Sequence, residues 1–338
     1  MVTIALDAMG GDFAPRAPVE AALRAVEDLA CRVLLVGDET ILAAELARQP
    51  HDPERVQIHH TPQHVLMDEA PAEALRQKPR ASVRLAFELI KEGGAQAMVS
   101  AGNSGALMVA GKQVLNTLSG IQRPAIATLL PHPRGHSLLL DSGANVDCRP
   151  DYLLQFAEMG AVYARIVLGA REPKVALLNI GTEIAKGNEL TRKAHGLLSD
   201  SGLNFEGNLE PRDMFKGRAD VIVCDGFAGN LVLKTAEAAG ANLRMLLRES
   251  IPGSLLARLG HRMMRGFLLD LARRTDYREV GGSPLLGLKG VGIVCHGASN
   301  PRTLFNAIRL AVQCVERRLV EEMAHRINGP PGQNSVSA

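Results

Sequence analysis

The stretch VALLNIGTEIAKGNEL at 175–190 decides the fold. A short apolar run ends at Asn179, and a loop of Gly, Thr, Glu and Lys follows before a helical pattern begins at Glu189. An apolar run without polar alternation reads as a strand buried on both faces. Its loop holds one lysine, Lys186, between two acids, Glu183 and Glu189.

The same unit recurs along the chain. TIALDAMGGD (3–12), RVLLVGD (32–38), VQIHHT (56–61), AQAMVSAGNSGALM (95–108), SLLLDSGAN (137–145), DVIVCDGFAGN (220–230) and GVGIVCHGASN (290–300) each pair an apolar run with a polar or Gly-rich end. Helical stretches separate them. The expectation is an α/β fold: a three-layer α/β/α, doubly wound, mainly parallel sheet. We read residues 1–325 as a single α/β domain, with a protruding helical insertion at about 245–280. The Pro/Gly/Ser-rich tail 326–338 reads as disordered.

Composition narrows the classes. The chain has 338 residues, 46% of them hydrophobic but only 3% aromatic, so the core must be aliphatic. A net charge of +2 gives no global field for nucleic acid. The 5 cysteines form no CxxC pair, which fits a reducing cytoplasm. The N-terminus lacks a signal-peptide pattern, and no apolar stretch is long enough to span a membrane.

In open parallel sheets, ligands bind beyond the carboxyl ends of strands. Six such ends here repeat Asp or Asn with Gly and small residues, and they are expected to share one cleft at one sheet edge. SAGNSGAL (100–107) enters a helix, where backbone N–H groups and the helix N-terminus favour a small anion such as phosphate. Gly102 and Gly105 allow close approach; Asn103 and Ser104 supply neutral donors or cap the helix. Asp7 and Asp12, with Asp141 and Asp225, either hold a divalent metal or fix loop amides. No HxxxH or HExxH spacing appears, and neither a P-loop nor a dinucleotide fingerprint is visible. We therefore expect no metal and no cofactor. His296 lines the cleft or supports it. Cys224 is expected to face the apolar layer rather than to act as a nucleophile.

A second feature lies away from the cleft. IPGSLLARLGHRMMRGFLLDLARR (251–274) sets Leu255, Leu256, Leu259, Met263 and Phe267 against Arg258, Arg262 and Arg265. Such a segment suits an anionic membrane surface or an interface between protein copies.

Together, ALDAMGGD (5–12), SAGNSGAL (100–107), DSGAN (141–145), NIGTE (179–183) with KGNE (186–189), and CDGFAGN (224–230) resemble the bacterial phosphate acyltransferase family, PlsX. The resemblance runs from the first strand to about residue 320. It implies a phosphotransacetylase-like fold and reversible transfer of a long-chain acyl group from acyl carrier protein to inorganic phosphate. The acyl phosphate would serve phospholipid synthesis. It also implies a homodimer in the cytoplasm, peripheral association with the inner face of the cell membrane, and a membrane-bound glycerol-3-phosphate acyltransferase as consumer of the product. Lys186 would stabilise phosphate or the oxyanion, and Asp225 would orient Lys186 or accept a phosphate proton. Asn103, Ser104, Asn145, Asn179 and Asn230 would give neutral contacts, with Gly10, Gly11 and Gly181 admitting the ligand and Glu183 steadying the lysine. Two alternatives stand beside this reading: a short-chain phosphotransacetylase using coenzyme A, and a non-enzymatic, membrane-associated scaffold.

Overall fold

The computed structural model describes residues 1–249, 262–264, 266 and 281–328. Leu255, Leu256, Arg258, Leu259, Arg265 and Phe267, named above for the amphipathic segment, lie outside the described residues. Arg262 and Met263 are helical and exposed.

Eleven strands form one sheet. They are β1 (Val2–Asp7), β2 (Cys31–Gly37), β3 (Val56–His60), β4 (Ala97–Ser100), β5 (Ala125–His132), β6 (Gly135–Leu140), β7 (Val175–Leu178), β8 (Phe205–Leu209), β9 (Val221–Val223), β10 (Ser283–Leu286) and β11 (Val291–Val294). Their order is β3-β2-β1-β4-β11-β10-β5-β6-β9-β7-β8. Strands β3, β2, β1, β4 and β11 are mutually parallel, and so are β6, β9, β7 and β8. The α/β class and the mainly parallel sheet match the expectation.

One expectation needs correction. Three antiparallel pairings in succession, β11 with β10, β10 with β5 and β5 with β6, make the two parallel sets run in opposite senses. Their carboxyl ends therefore cannot line a single sheet edge. They meet in the middle instead. Val294 ends β11 and pairs with Ser283, while Leu140 ends β6 and pairs with Ala127. Thr128, next to Ala127, hydrogen-bonds Ser283 at 2.9 Å. A strand's direction depends on how far its connection crosses over, which local composition does not encode.

Helices cover both faces. Ile4 and Leu6 point into one apolar layer and Ala5 into the other, as alternation along a strand requires. The first layer is packed by α1 (Arg16–Asp28), α6 (Pro150–Ile166), α7 (Glu189–Ser199) and α9 (Pro301–Glu316). The second is packed by α3 (Pro71–Gln77), α4 (Ser82–Lys91) and α5 (Ser104–Leu115). Beyond β5 the second face carries a smaller layer, which α8 (Gly226–Glu249) covers with Ala228, Val232 and Leu233. The short α2 (Glu39–Leu46) is capped by Asp38, and α10 (Leu319–Asn328) carries the described chain past the boundary expected at 325. Cys224 lies in the smaller apolar layer at 3% exposure, as expected.

Candidate functional site at the sheet seam

Strand β10 divides its pairing. Ser283 and Pro284 bond to β11, and Leu285 and Leu286 bond to β5. At Ser283 the ladder to β5 has ended, so the two strands part and side chains fill the gap. A cavity of about 280 Å³ opens there. Its polar lining is mostly hydroxyl: Ser104, Thr128, Ser142, Ser283, Ser299 and Thr303.

Local sequence explains how these groups are held. Asn103 caps α5 by accepting from Ala106 N at 3.1 Å, which makes Ser104 the first residue of that helix. Asn300 caps α9 by accepting from Thr303 N at 3.0 Å, with Pro301 fixing the first turn. Both helix N-termini therefore reach the cavity, and both bring partial positive charge. Helix α8 runs along another wall through Asn230, Leu233, Lys234 and Glu237. Lys234 is tied to Glu237 at 3.0 Å.

Three of the hydroxyls form a chain. Ser142 Oγ donates to Ile126 O at 3.0 Å, and Thr128 Oγ1 lies 2.7 Å from Ser142 Oγ and 2.9 Å from Ser283 Oγ. Ser299 is different: it is 3% exposed, and its Oγ has no hydrogen-bond partner. His296 lines the cavity too. Its Nδ1 accepts from Ala298 N at 3.1 Å, so the neutral ring carries its proton on Nε2.

Several groups that the sequence marked for ligand contact are hydrogen-bonded within the fold. Asp141 is fully buried on the loop after β6. It accepts from Ile126 N at 3.1 Å, Ala144 N at 3.0 Å and Asn145 N at 2.6 Å. Burial pushes its carboxyl up from the ordinary range, against these hydrogen bonds. Asn145 Nδ2 is spent on Pro124 O and Asp141. Asp225 Oδ1 accepts from Ala228 N at 2.7 Å and caps α8. Gly229 is forced by contact, because a Cβ there would sit 1.9 Å from Asp141 O.

The first loop is similar. Asp7 accepts from Ser100 Oγ at 2.7 Å, and burial pushes its carboxyl up. Gly10 packs against Gly102, where a Cβ would lie 2.7 Å from the Gly102 nitrogen. Gly11 has φ +97, and Asp12 N donates to Gly297 O at 2.8 Å. A Cβ on Gly105 would sit 2.5 Å from Pro71 Cγ. Asn103 Nδ2 clamps the carbonyls of Leu66, Met67 and Glu69, so this side chain has no group left for a ligand.

The loop after β7 stands apart. Asn179 Oδ1 accepts from Ile180 N and its Nδ2 donates to Lys186 O, which closes the loop on itself. Lys186 and Glu183 are exposed and fold over Gly181. Glu189 pairs with Lys193 at 2.6 Å, not with Lys186. Among the described residues Lys186 has no ion-pair partner, so neither Asp225 nor Glu183 tethers it in this conformation. Of the residues marked in the sequence, the seam cavity gathers Ser104, Asn230 and His296; it does not include Lys186 or Asp225. Sequence reasoning missed Thr128, Ser142, Ser283, Ser299 and Thr303. The signal for two of them was present: Ser142 sits in DSGAN and Ser299 in HGASN.

Among the described residues no cluster of three or more His, Cys, Asp or Glu side chains has metal-binding geometry. No helix among them is long and apolar enough to cross a membrane.

Comparison with known proteins identifies what the chain is similar to. A family model described as fatty acid synthesis protein matches residues 2–322. A phosphate acyltransferase of Moorella thermoacetica is 50% identical over 317 residues, covering 94% of this chain and 93% of that protein. One from Geobacter sulfurreducens is 46% identical over 324 residues, covering 96% and 94%. Among solved structures, a phosphotransacetylase from Streptococcus pyogenes superposes with a TM-score of 0.62 at 18% identity, covering 93% of this chain and 94% of that one. At that identity the likeness concerns the fold alone.

Proposed function

The chain belongs to the phosphate acyltransferase family and is an acyltransferase; from that premise we propose that it moves a long-chain acyl group from acyl carrier protein to inorganic phosphate, with phosphate seated in the seam cavity. One observation carries the placement: two helix N-termini and a set of neutral hydroxyls converge on a single cavity. That lining suits a small oxyanion, which gains from N-terminal helix dipoles and hydrogen-bond donors.

The chemistry asks little more of the protein. A phosphate oxygen attacks the thioester carbonyl carbon, a C–O bond forms and the carbonyl oxygen takes the negative charge. Collapse breaks the C–S bond. The hydrogen that entered on hydrogen phosphate leaves on the thiol, so thioester plus hydrogen phosphate balances acyl phosphate plus free thiol. A thiol near its ordinary pKa of ~8.5 is a good leaving group and needs no strong acid. What remains is alignment of nucleophile and carbonyl and stabilisation of the tetrahedral oxyanion. Lys186 is assigned the oxyanion role. It is an exposed cation without an ion-pair partner among the described residues.

The remaining partners follow from the same premise. The exposed side chains of Phe227, Leu231, Leu243 and Met245 on α8, with Met263 and Met264, form apolar surface that suits a homodimer contact or an anionic membrane face. Peripheral attachment would deliver acyl phosphate to a membrane-bound glycerol-3-phosphate acyltransferase and keep a labile, amphipathic product from water.

The test is incubation of the protein with long-chain acyl carrier protein, with and without phosphate, following thiol release and acyl phosphate. Phosphate-dependent acyl phosphate is expected. Turnover of short-chain coenzyme A thioesters alone would replace the carrier-protein assignment, and thiol release without phosphate dependence would remove the phosphate acceptor.

A further inference from the structure

Resting on the reading of the chain as a long-chain acyltransferase with phosphate in the seam cavity, we propose that Phe13, Leu66 and Met67 form an apolar lip beside that cavity, which takes the acyl chain of the substrate and favours long chains over short ones.

Three segments converge on Gly297, the residue after His296 of the cavity wall. Met67 packs there, its Cε 2.9 Å from where a Gly297 Cβ would sit, and Asp12 Oδ1 is 3.5 Å from the same point. Asp12 N donates to Gly297 O at 2.8 Å, which fixes the turn that carries Phe13. Asn103, directly before Ser104 of the cavity wall, donates through Nδ2 to Leu66 O at 3.3 Å and to Met67 O at 3.2 Å. Lys78 braces the same loop from its other end, pairing with Glu69 at 2.6 Å and donating to His64 O at 3.0 Å. The lip and the cavity wall thus share the Asn103 cap and the Gly297 turn. Yet the side chains on this fixed backbone stand in water: Phe13 is 54% exposed, Leu66 49% and Met67 48%. Single exposed apolar residues need no partner, but a gathered set beside a cavity marks a binding surface.

Charge selects the occupant. Asp12 and Asp68 are exposed at the lip, and neither has an ion-pair partner among the described residues. An acidic rim repels anionic lipid headgroups and the acidic face of a protein partner alike, whereas an acyl chain is neutral. Size calls for such a surface too. At about 280 Å³ the cavity falls below the ~300–1,000 Å³ of pockets that enclose drug-sized ligands. It has room for phosphate and the reacting carbonyl, and a long chain must continue outside it. Each methylene that the lip covers strengthens binding by roughly 4-fold.

Steady-state kinetics of the full chain with hexadecanoyl and butanoyl acyl carrier protein, at saturating phosphate, tests the assignment. The double variant Leu66→Gln with Met67→Gln keeps side-chain length and makes both groups polar. Its ratio of long-chain to short-chain kcat/KM should fall by about 10-fold. Ile41→Gln, at a comparably exposed apolar residue on α2, should leave the ratio as it is. Unchanged thermal unfolding of the variants shows that the fold is intact. A ratio that survives the double variant overturns the proposal. An equal loss with both thioesters also overturns it, because the loop would then only brace α5. A kept ratio with weaker cosedimentation on anionic vesicles, or with a dimer turned monomer, gives the lip to a membrane or to a second copy instead. Acyl phosphate formation by the native protein keeps two failures apart. Turnover with an unmoved ratio overturns the lip alone. Absence of acyl phosphate from both thioesters overturns the acyltransfer reading, and this inference with it.

Discussion

The loop after β7 and the cavity at β10 make opposite impressions. The loop shows its charges: Lys186, Glu183 and Glu189 are exposed, and the sequence draws the eye to them. The cavity is lined mostly by serines, threonines and two helix ends, and its cation, Lys234, is already paired with Glu237. Yet the cavity is built and the loop is open. Around the cavity Thr128, Ser142, Ser283 and Thr303 are tied to neighbours through their hydroxyls, whereas Lys186 is held only through its backbone. Fixed hydrogen bonds hold the neutral groups, and the Lys186 charge stands exposed. A fixed dipole stabilises charge without reorganising, so this division suits a reaction whose nucleophile enters as an anion.

The sharpest way to break the comparison is Lys186→Ala. If the loop supplies the oxyanion cation, kcat should fall by about 10²- to 10³-fold with KM for phosphate little changed. Near-normal kcat would return the loop to scaffold. Lys234→Ala probes the other side. It lines the cavity but is already paired with Glu237, so a few-fold rise in KM for phosphate and an unchanged kcat are expected in steady-state kinetics. A loss of kcat matching that of Lys186→Ala would move the catalytic cation to the seam.

Gly229→Ala sharpens the claim that the seam is rigid. The added Cβ would collide with Asp141 O, and overpacking of this kind costs about 1–3 kcal/mol. A lowered urea midpoint should report it. The smallest effect concerns thiols. Burial pushes Cys148, Cys295 and Cys314 up to about 12, and Cys31 and Cys224 are raised as well. Iodoacetamide at pH 8 should leave folded protein and its activity nearly untouched, and should label all 5 cysteines after unfolding. Rapid inactivation by alkylation of one folded-state cysteine would point to a nucleophile that the phosphate mechanism does not need.

Legibility followed the range of the physics. Strand–loop–helix units were readable because apolar runs and Gly-rich ends are local. DAMGGD, SAGNSG, DSGAN, CDGFAGN and HGASN do lie at strand ends. What their Asn and Asp residues do was half legible. Asn103, Asp225 and Asn300 cap helices, as the residue type at that spacing allows, and this use competes with ligand binding for the same atoms. The opposed senses of the two half-sheets were not legible. They depend on β10 and β11, which come after residue 280 yet sit in the centre of the sheet. For the same reason Thr128 and Ser283, 155 positions apart, gave no shared signal.

That central position has a consequence for synthesis. Strand β11 lies between β4 and β10, and α9 packs on α1, so the first half-sheet keeps β4 as a bare edge until the chain is nearly complete. All four residues of β4 are buried in the finished protein. At 5–20 residues per second, the ribosome would need roughly 10–40 s to travel from Ser100 to Val294. During that interval an apolar edge with unpaired backbone groups faces solvent, where it can pair with another strand. A nascent chain arrested before residue 290 would thus be the aggregation-prone species of this protein, and a chaperone that shields β4 would set how much of the enzyme a cell obtains.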